Sequence, residues 1–115
     1  MGSSKAQVRD VGGVSVVDLS GFLMLGESSA VLGRAICELM EKERNKVLLN
    51  FRDVTEMDSA GIGELVAAYT AVKTKRGRLK LLNPPQKVHD MLKLTKLSKV
   101  LEVYYDEASA LRSFD

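Results

Sequence analysis

A carboxylate and a hydroxyl stand side by side in the stretch "VTEMDSAGIG", residues 54–63. The apolar run "KVLLNF" precedes it and a helix-periodic segment follows, so Asp58 and Ser59 lie where a strand turns into a helix. Asp58 occupies the N-cap position, from which its carboxylate can accept from the free N–H groups of Ala60 or Gly61. Ser59 then falls on the first helical turn. We expect its hydroxyl near the surface, because helix starts at strand carboxyl ends face outward in α/β folds.

The small residues around this hydroxyl admit two interpretations. Ala60, Gly61 and Gly63 leave little side-chain cover, so another protein's backbone could approach Ser59 closely. Each glycine costs about 1 kcal/mol relative to alanine inside a helix, which a purely structural helix start would avoid. In the structural interpretation, Gly61 and Gly63 instead permit tight packing of the helix on the sheet and Ser59 is a spare cap. The spacing alone leaves both open.

Three catalytic or phosphate-binding interpretations of the same stretch fit less well. A nucleophile elbow requires Gly-x-Ser-x-Gly, but position 57 is Met, and the one histidine, His89, lies in a lysine-rich helical segment. No glycine-rich run with lysine follows Gly63, so a phosphate-cradling loop is absent. Asp53 is placed like a receiver-domain acceptor, but the acidic pair after the first strand and a fifth βα unit are missing.

Length and composition indicate one small globular domain. The 115 residues suit a single domain spanning 1–115 with one modest core. A hydrophobic fraction of 45% and a charged fraction of 28% argue against disorder, and no apolar run approaches the roughly 18 residues of a membrane span. The single cysteine, Cys37, excludes an internal disulfide, fits a reducing cytosol, and is interpreted as a helix residue without a chemical role. Residues 1–4 suit a disordered start or a remnant of expression.

The net charge of +2 conceals a marked asymmetry. Residues 73–99 carry nine cations and one anion, Asp90, which gives +8, whereas the rest of the chain has eight cations and fourteen anions, which gives −6. The nine cations are Lys73, Lys75, Arg76, Arg78, Lys80, Lys87, Lys93, Lys96 and Lys99. They are interleaved with core residues and accompanied by no aromatic residue, so the sequence favours a solvated basic face over a nucleic-acid site.

The apolar patterns predict the order β-β-α-β-α-β-α-β-α. Gly12 and Gly13 mark a hairpin turn between the first two strands, and "KVLLNF" suits a central strand buried on both faces. The following helix has an apolar stripe at Ile62, Leu65, Val66, Tyr69 and Val72. Alternating strands and helices indicate an α/β domain: a mixed, largely parallel sheet of four to five strands with an N-terminal hairpin, packed with about four helices.

The signature stretch resembles that of STAS domains, the fold shared by anti-sigma factor antagonists and the cytoplasmic tails of sulfate transporters. The family pattern is a buried strand, a short turn, then Asp-Ser-(Ser/Ala)-Gly-(Leu/Ile)-Gly opening a helix. Every position of that pattern is met here, by Asp58, Ser59, Ala60, Gly61, Ile62 and Gly63. The resemblance covers nearly the whole chain, including "VVDLSG", "GRLKLLNPP" and "LKLTKLSKVLEVYYDEASAL".

The resemblance implies a cytoplasmic binding switch with no enzymatic activity and no cofactor. Ser59 is the position that an anti-sigma factor serine kinase phosphorylates in that family, and a separate phosphatase resets it. The unmodified protein binds the kinase and so releases a sigma factor for transcription. The implied partner-binding residues are Asp58, Ser59, Ala60, Gly61, Ile62, Gly63 and Glu64. Nucleic-acid binding and membrane insertion are not expected, and a weak homodimer is compatible with the resemblance.

One departure from the family pattern lies after the second strand. Members often carry acids there, as in Gly-Glu-Leu-Asp, whereas this chain has Phe22 and Met24. The change implies either a different kinase partner or a docking module that is not phosphorylated. We interpret the apolar run Phe22–Leu25 as core or loop packing. Two alternatives stay open: a STAS scaffold of a stress-signalling or transporter-associated complex, and a basic nucleic-acid-binding domain using residues 73–99.

Overall fold

The computed structural model of the chain describes residues 4–24 and 27–115, without the side chains of 27–29. Residues 1–3 and Leu25, for which expectations were given above, lie outside the described part. The elements follow the predicted order, with a 3₁₀ turn at Leu97–Lys99 before the last strand. They are β1 (Lys5–Val11), β2 (Val14–Leu23), α1 (Glu27–Glu41), β3 (Lys46–Met57), α2 (Ser59–Thr74), β4 (Arg78–Leu82), α3 (Gln86–Leu94), β5 (Val103–Tyr104) and α4 (Glu107–Arg112).

The sheet has five strands in the order β1-β2-β3-β4-β5. β1 and β2 form the predicted antiparallel hairpin, in which Gly12 and Gly13 both adopt positive φ angles of 58° and 87°. The remaining pairs are parallel, so β3 is central, as "KVLLNF" predicted. Val47, Leu48 and Leu49 in β3 are fully buried, which is the pattern of a strand covered on both faces.

Helices cover both faces of the sheet unequally. On one face, α1, α2 and α3 enclose the larger core, with Leu32, Leu65 and Leu92 fully buried in it. On the other face, α4 alone packs over a smaller core, in which Phe114 and Ala110 meet Leu48. The fold is therefore the predicted α/β domain. Within the described residues, no helix combines the length and apolarity needed to cross a bilayer.

The buried face of α2 differs from the predicted stripe at one position. Gly61, Leu65, Ala68 and Val72 are buried, but Val66 is 41% exposed. The prediction for Val66 was wrong because the buried line of α2 runs through Leu65, Ala68 and Val72, and Val66, 100° further round the helix than Leu65, lies outside it. Ala68 completes the buried stripe instead, and its small side chain allows a close helix–sheet approach.

Lys80 is a second correction, because the basic segment was predicted to be a solvated face. Its residue is only 4% exposed, on the side of β4 that faces α4. The ammonium donates to the carbonyl oxygen of Ser113 at 2.8 Å and to its Oγ at 2.9 Å. It also lies 4.8 Å from the centre of the Phe114 ring. Lys80 thus holds the C-terminal residues on the sheet and contributes little to the surface charge.

Candidate functional site at the start of α2

Asp58 caps α2 as the sequence predicted. Its backbone is extended (φ −116°, ψ −169°), and its Oδ1 accepts from the N–H groups of Ala60 at 2.9 Å and Gly61 at 3.1 Å. Its carbonyl oxygen accepts from the N–H of Ile62 at 3.0 Å, which is the first bond of the helix. α2 therefore starts at Ser59, and the N–H groups of Ala60 and Gly61 in its first turn are already satisfied within the domain.

The junction is fastened to the end of β2 through the backbone. The N–H of Asp58 donates to the carbonyl oxygen of Leu23 at 3.2 Å. A Cβ atom on Gly61 would overlap that same oxygen and would lie 2.8 Å from Cγ of Met57. Position 61 thus accepts no side chain without movement of the main chain. Gly61 is buried, so the structural interpretation weighed above applies to this residue.

Gly63 has the opposite environment. Among the described residues, no heavy atom other than the backbone of α2 itself lies within 4 Å of the position that its Cβ would take. It is exposed, as is Ser59 one helical turn before it. Within the described residues, Gly63 therefore adds no side chain to the exposed surface one turn after Ser59, as expected for a surface that another protein approaches.

The other predicted partner-binding residues surround this point unevenly. Ala60 and Ile62 are half-buried, and Ile62 packs against the larger core. Glu64 turns away toward α1, since its Oε2 lies 3.1 Å from the position of a Cβ on Gly33. The structure thus places Ser59 and Gly63 on the surface, with Ala60 and Ile62 at the margin, and Glu64 between the two helices.

Sequence reasoning missed the surface that continues from Ser59 along the helix. Ser59, Gly63, Val66 and Thr70 are all exposed and recur at i, i+4, i+7 and i+11, which places them on one line down the helix. We call these four residues the outer stripe of α2. The stripe carries no charge, and Val66 gives it an apolar centre. The only sequence signal for it was the position of Val66 directly after Leu65, which is equally compatible with burial.

The segment that replaces the family acids lies beside the same junction. Leu23, whose carbonyl oxygen contacts α2, is 1% exposed and belongs to the core, whereas Met24 is 37% exposed. Phe22 is half-buried and pairs with Glu56 across the parallel β2–β3 ladder. The packing interpretation of this run is therefore confirmed for Leu23, while Met24 adds an exposed apolar side chain directly after it.

Residues considered for catalysis do not assemble around Ser59. His89 is half-buried on α3, where its Nδ1 lies 3.0 Å from the hydroxyl oxygen of Tyr105. No hydrogen bond joins it to Ser59 in the described part of the chain. Across residues 4–24 and 27–115, no group of three or more His, Cys, Asp or Glu side chains could hold a metal ion.

Comparison with known proteins places this geometry in context. Residues 5–110 match the family model described as STAS domain. The chain is 29% identical to the anti-sigma F factor antagonist of Paenibacillus polymyxa over 105 residues, which cover 90% of this chain and 88% of that protein.

Solved structures show the same fold. An anti-sigma factor antagonist from Mycobacterium paratuberculosis aligns with a TM-score of 0.83 and 25% identity, covering 97% of this chain and 94% of the other. The antagonist SpoIIAA in its unphosphorylated form aligns with a TM-score of 0.69 and 21% identity, covering 94% of this chain and 96% of the other. The phosphorylated form of the Bacillus protein SpoIIAA aligns with a TM-score of 0.68 and 19% identity, covering 94% and 98%.

Proposed function

The chain belongs to the STAS domain family, and from that premise we propose that it is an anti-sigma factor antagonist regulated by phosphorylation of Ser59. The unmodified protein binds an anti-sigma factor that is also a serine kinase, and this binding releases a sigma factor. The name of the Paenibacillus polymyxa relative, which matches over most of both chains, supports the first part of the proposal.

The observation that carries the proposal is the placement of Ser59 at the head of the outer stripe. Ser59 is exposed, it stands on a helix start that Asp58 and Gly61 hold in place, and no side chain of the described residues lies within 4 Å of a Cβ on Gly63. A kinase must bring its own backbone and a nucleotide phosphate close to the acceptor hydroxyl, so an uncovered hydroxyl on a rigid support suits it. The uncharged stripe beyond Ser59 offers a contact surface without a desolvation cost for charges.

Phosphorylation would act on this surface more than on the fold. The phosphate adds about −1.5 to −2 charges and three acceptor oxygens. The N–H groups of Ala60 and Gly61 already bind the Asp58 carboxylate, so the phosphate remains outside the first turn, with a carboxylate beside it. The positive end of the helix dipole offsets the repulsion between the phosphate and this carboxylate by about 0.3–1 kcal/mol. The added charge thus stands on the outer stripe, where an apolar partner surface would have to bury it.

The individual residues divide into contact and support roles. Ser59 is the acceptor, and Ala60, Ile62 and Gly63 contact the partner together with Val66 and Met24. Asp58 and Gly61 shape the junction, and Glu64 borders it on the side of α1. In this mechanism the chain itself performs no catalysis and needs no cofactor, since ATP belongs to the kinase. A phosphatase removes the phosphate, and the cycle takes place in the cytoplasm.

Affinity capture from the native cell extract tests the proposal. Baits carrying Ser59→Ala and Ser59→Asp are compared with the unmodified protein. We expect the wild type and the Ser59→Ala bait to retain a histidine-kinase-like ATPase that the Ser59→Asp bait does not retain. Equal recovery by the alanine and aspartate baits would refute the switch. Capture of nucleic acid in place of a protein would refute the functional class.

A further inference from the structure

The edge of β4 is only half covered. β5 pairs with Leu81 and Leu82 alone, and the N–H of Leu81 donates to the carbonyl oxygen of Glu102 at 2.9 Å. Before that point the chain leaves the sheet as the 3₁₀ turn, so no strand formed by the described residues lies beside residues 78–80 on this side. A cavity of about 190 Å³ lies here between the edge of β4, the C-terminal half of α2 and residues 100–102. We call it the β4 cleft.

A backbone donor is directed into the β4 cleft. Along a strand, N–H groups alternate between the two edges, so the N–H of Leu79 faces the same side as that of Leu81. The N–H of Leu81 is bonded to Glu102, but that of Leu79 has no hydrogen-bond partner within the described residues. Leu79 is only 4% exposed. The N–H of Leu79 is therefore a backbone donor that a ligand in the cleft can reach without displacing a hydrogen bond within the protein.

Two side-chain donors without protein partners lie at the same cleft. Tyr69 and Lys73 are one turn apart on α2 and both line the cavity. Neither the Tyr69 hydroxyl nor the Lys73 ammonium forms a hydrogen bond or ion pair with any residue in 4–24 or 27–115. Both are therefore available, together with Leu79 N–H, to a ligand that accepts hydrogen bonds.

The charges around the cleft favour an anion. Lys73, Arg78 and Lys80 line it together with the carboxylate of Glu102, but the charged groups of Arg78 and Lys80 donate to the carbonyl oxygens of Phe114 and Ser113 on the side of α4, so Lys73 supplies the cation that remains for a ligand. Glu102 already accepts from the hydroxyl of Tyr104 at 2.6 Å and lies 3.4 Å from the Lys80 ammonium, so much of its charge is compensated.

We propose that the β4 cleft is a binding site for a phosphate-class oxyanion, with Leu79 N–H, the Tyr69 hydroxyl and the Lys73 ammonium as its donors. A tetrahedral oxyanion presents several acceptor oxygens that a backbone amide, a hydroxyl and an ammonium can bind from different directions. The cavity of about 190 Å³ is smaller than the roughly 300–1,000 Å³ of sites for drug-sized ligands, so it takes the phosphate group and little more. That group belongs either to a free phosphate or to a lipid head group.

Titration with inorganic phosphate and pyrophosphate, followed by the backbone amide resonances of the full chain, tests the site. We expect saturable shifts centred on Leu79 and extending to Lys73 and Glu102, and none of that pattern with chloride at equal ionic strength. Shifts that are absent, or that spread evenly over the basic segment 73–99 without saturation, would overturn the proposal. If the Leu79 amide binds only water, the titration will show no saturable shifts centred on Leu79, and the proposal is then wrong.

Paired variants separate the local donor from general electrostatics. Lys73→Met should weaken phosphate binding by about tenfold or more, whereas Lys75→Met, which removes the same charge from the adjacent exposed turn, should change it far less. Tyr69→Phe should also weaken it, and Glu102→Gln should strengthen it by removing the only anion of the cleft. Equal effects of the two lysine variants, or a loss with Glu102→Gln, would contradict the assignment.

A second arm distinguishes the two sources of the phosphate. Sedimentation with phosphatidylcholine vesicles containing phosphatidic acid identifies a lipid head group if the protein co-sediments and Lys73→Met abolishes this. Saturable shifts with free phosphate, without co-sedimentation, identify a free ligand. Co-sedimentation that Lys73→Met and Lys75→Met reduce alike would count against the cleft.

Discussion

The carbonyl oxygen of Leu23 occupies the place where a side chain on Gly61 would begin. This contact between two backbones sets the distance between the end of β2 and the start of α2. The same oxygen accepts the N–H of Asp58, so one atom of β2 both binds and sterically limits the junction that carries Ser59. Two residues further along, a Cβ on Gly63 would meet no atom of another described element within 4 Å.

The two glycines of the junction should therefore respond in opposite ways to alanine. Gly61→Ala should destabilise the domain by about 1–3 kcal/mol, because the added methyl overlaps the backbone of β2. Gly63→Ala should stabilise it by about 0.5–1 kcal/mol, since it removes the conformational freedom of a glycine in a helix without a clash. Urea denaturation of the two variants measures both values, and a loss of stability in Gly63→Ala as large as that in Gly61→Ala would contradict this geometry.

Charge at Ser59 should control partner binding. Ser59→Asp should weaken binding to the cognate kinase by about tenfold or more and phosphorylation should weaken it further, because phosphoserine carries more charge and more oxygens. Ser59→Ala should retain binding and lose phosphate incorporation. The substitutions should change the free energy of unfolding, measured by thermal melts, by no more than about 0.5 kcal/mol, because Ser59 is exposed.

Titration of the three forms against the purified kinase, with radiolabelled ATP in parallel, measures these effects. Labelling of Ser59→Ala as strong as that of the wild type would show that another residue is the acceptor. Undiminished binding of both the aspartate and the phosphorylated forms would exclude the switch and leave the fold unaffected.

Val66 should be the apolar contact of the outer stripe. Val66→Glu should weaken kinase binding without lowering stability by more than about 0.5 kcal/mol, because the side chain is 41% exposed. Val8→Glu is the matched control, since Val8 is 47% exposed on the edge strand β1. Isothermal titration of the two variants compares them, and equal loss of affinity would indicate a general charge effect in place of a contact at Val66.

Acid should destabilise the domain through an ion-pair cluster between β1, β2 and α4. The Arg9 guanidinium lies 2.5 Å from Asp18 and 2.8 Å from Glu107, and its hydrogen bonds lower the pKa of both carboxyls. Groups whose pKa is lowered by folding contribute stability above their unfolded pKa, about 4, and lose it as the pH falls through the folded value.

The melting temperature should therefore decrease as the pH drops below about 4. Asp18→Asn should show a smaller decrease than the wild type. Glu38→Gln, which alters an exposed carboxylate of α1, should keep the wild-type dependence of melting temperature on pH. Melts between neutral and acidic pH measure this. Identical slopes in Asp18→Asn and the wild type would rule out the cluster as the cause.

The basic segment 73–99 should not retain nucleic acid. Lys80 is buried, Arg78 donates to the carbonyl oxygen of Phe114, and Lys87 pairs with Glu56 at 2.9 Å, so three of the nine cations are already engaged. Anisotropy of a labelled duplex at about 0.15 M salt should show binding no tighter than the 10⁻⁴–10⁻⁶ M typical of non-specific contacts. A submicromolar dissociation constant would contradict the prediction.

The order of the elements and the helix cap at Asp58 could be predicted from the sequence because both depend on short-range patterns. Alternation of apolar residues identifies a strand or helix within a few residues, and an N-cap needs only the backbone N–H groups two and three residues ahead. The family motif added Ser59 as the acceptor position. The phosphorylation itself and the identity of the partner stay predictions.

The roles of Gly61, Val66 and Lys80 depended on which parts of the chain lie opposite them. Gly61 and Gly63 are equivalent in the sequence, and only the carbonyl oxygen of Leu23, 38 positions away along the chain, distinguishes them. Lys80 alternates with leucines as a surface residue would, but α4 returns to cover it with Ser113. Local pattern determines what each segment forms, whereas burial is a property of pairs of segments and is decided only when the tertiary contacts are made.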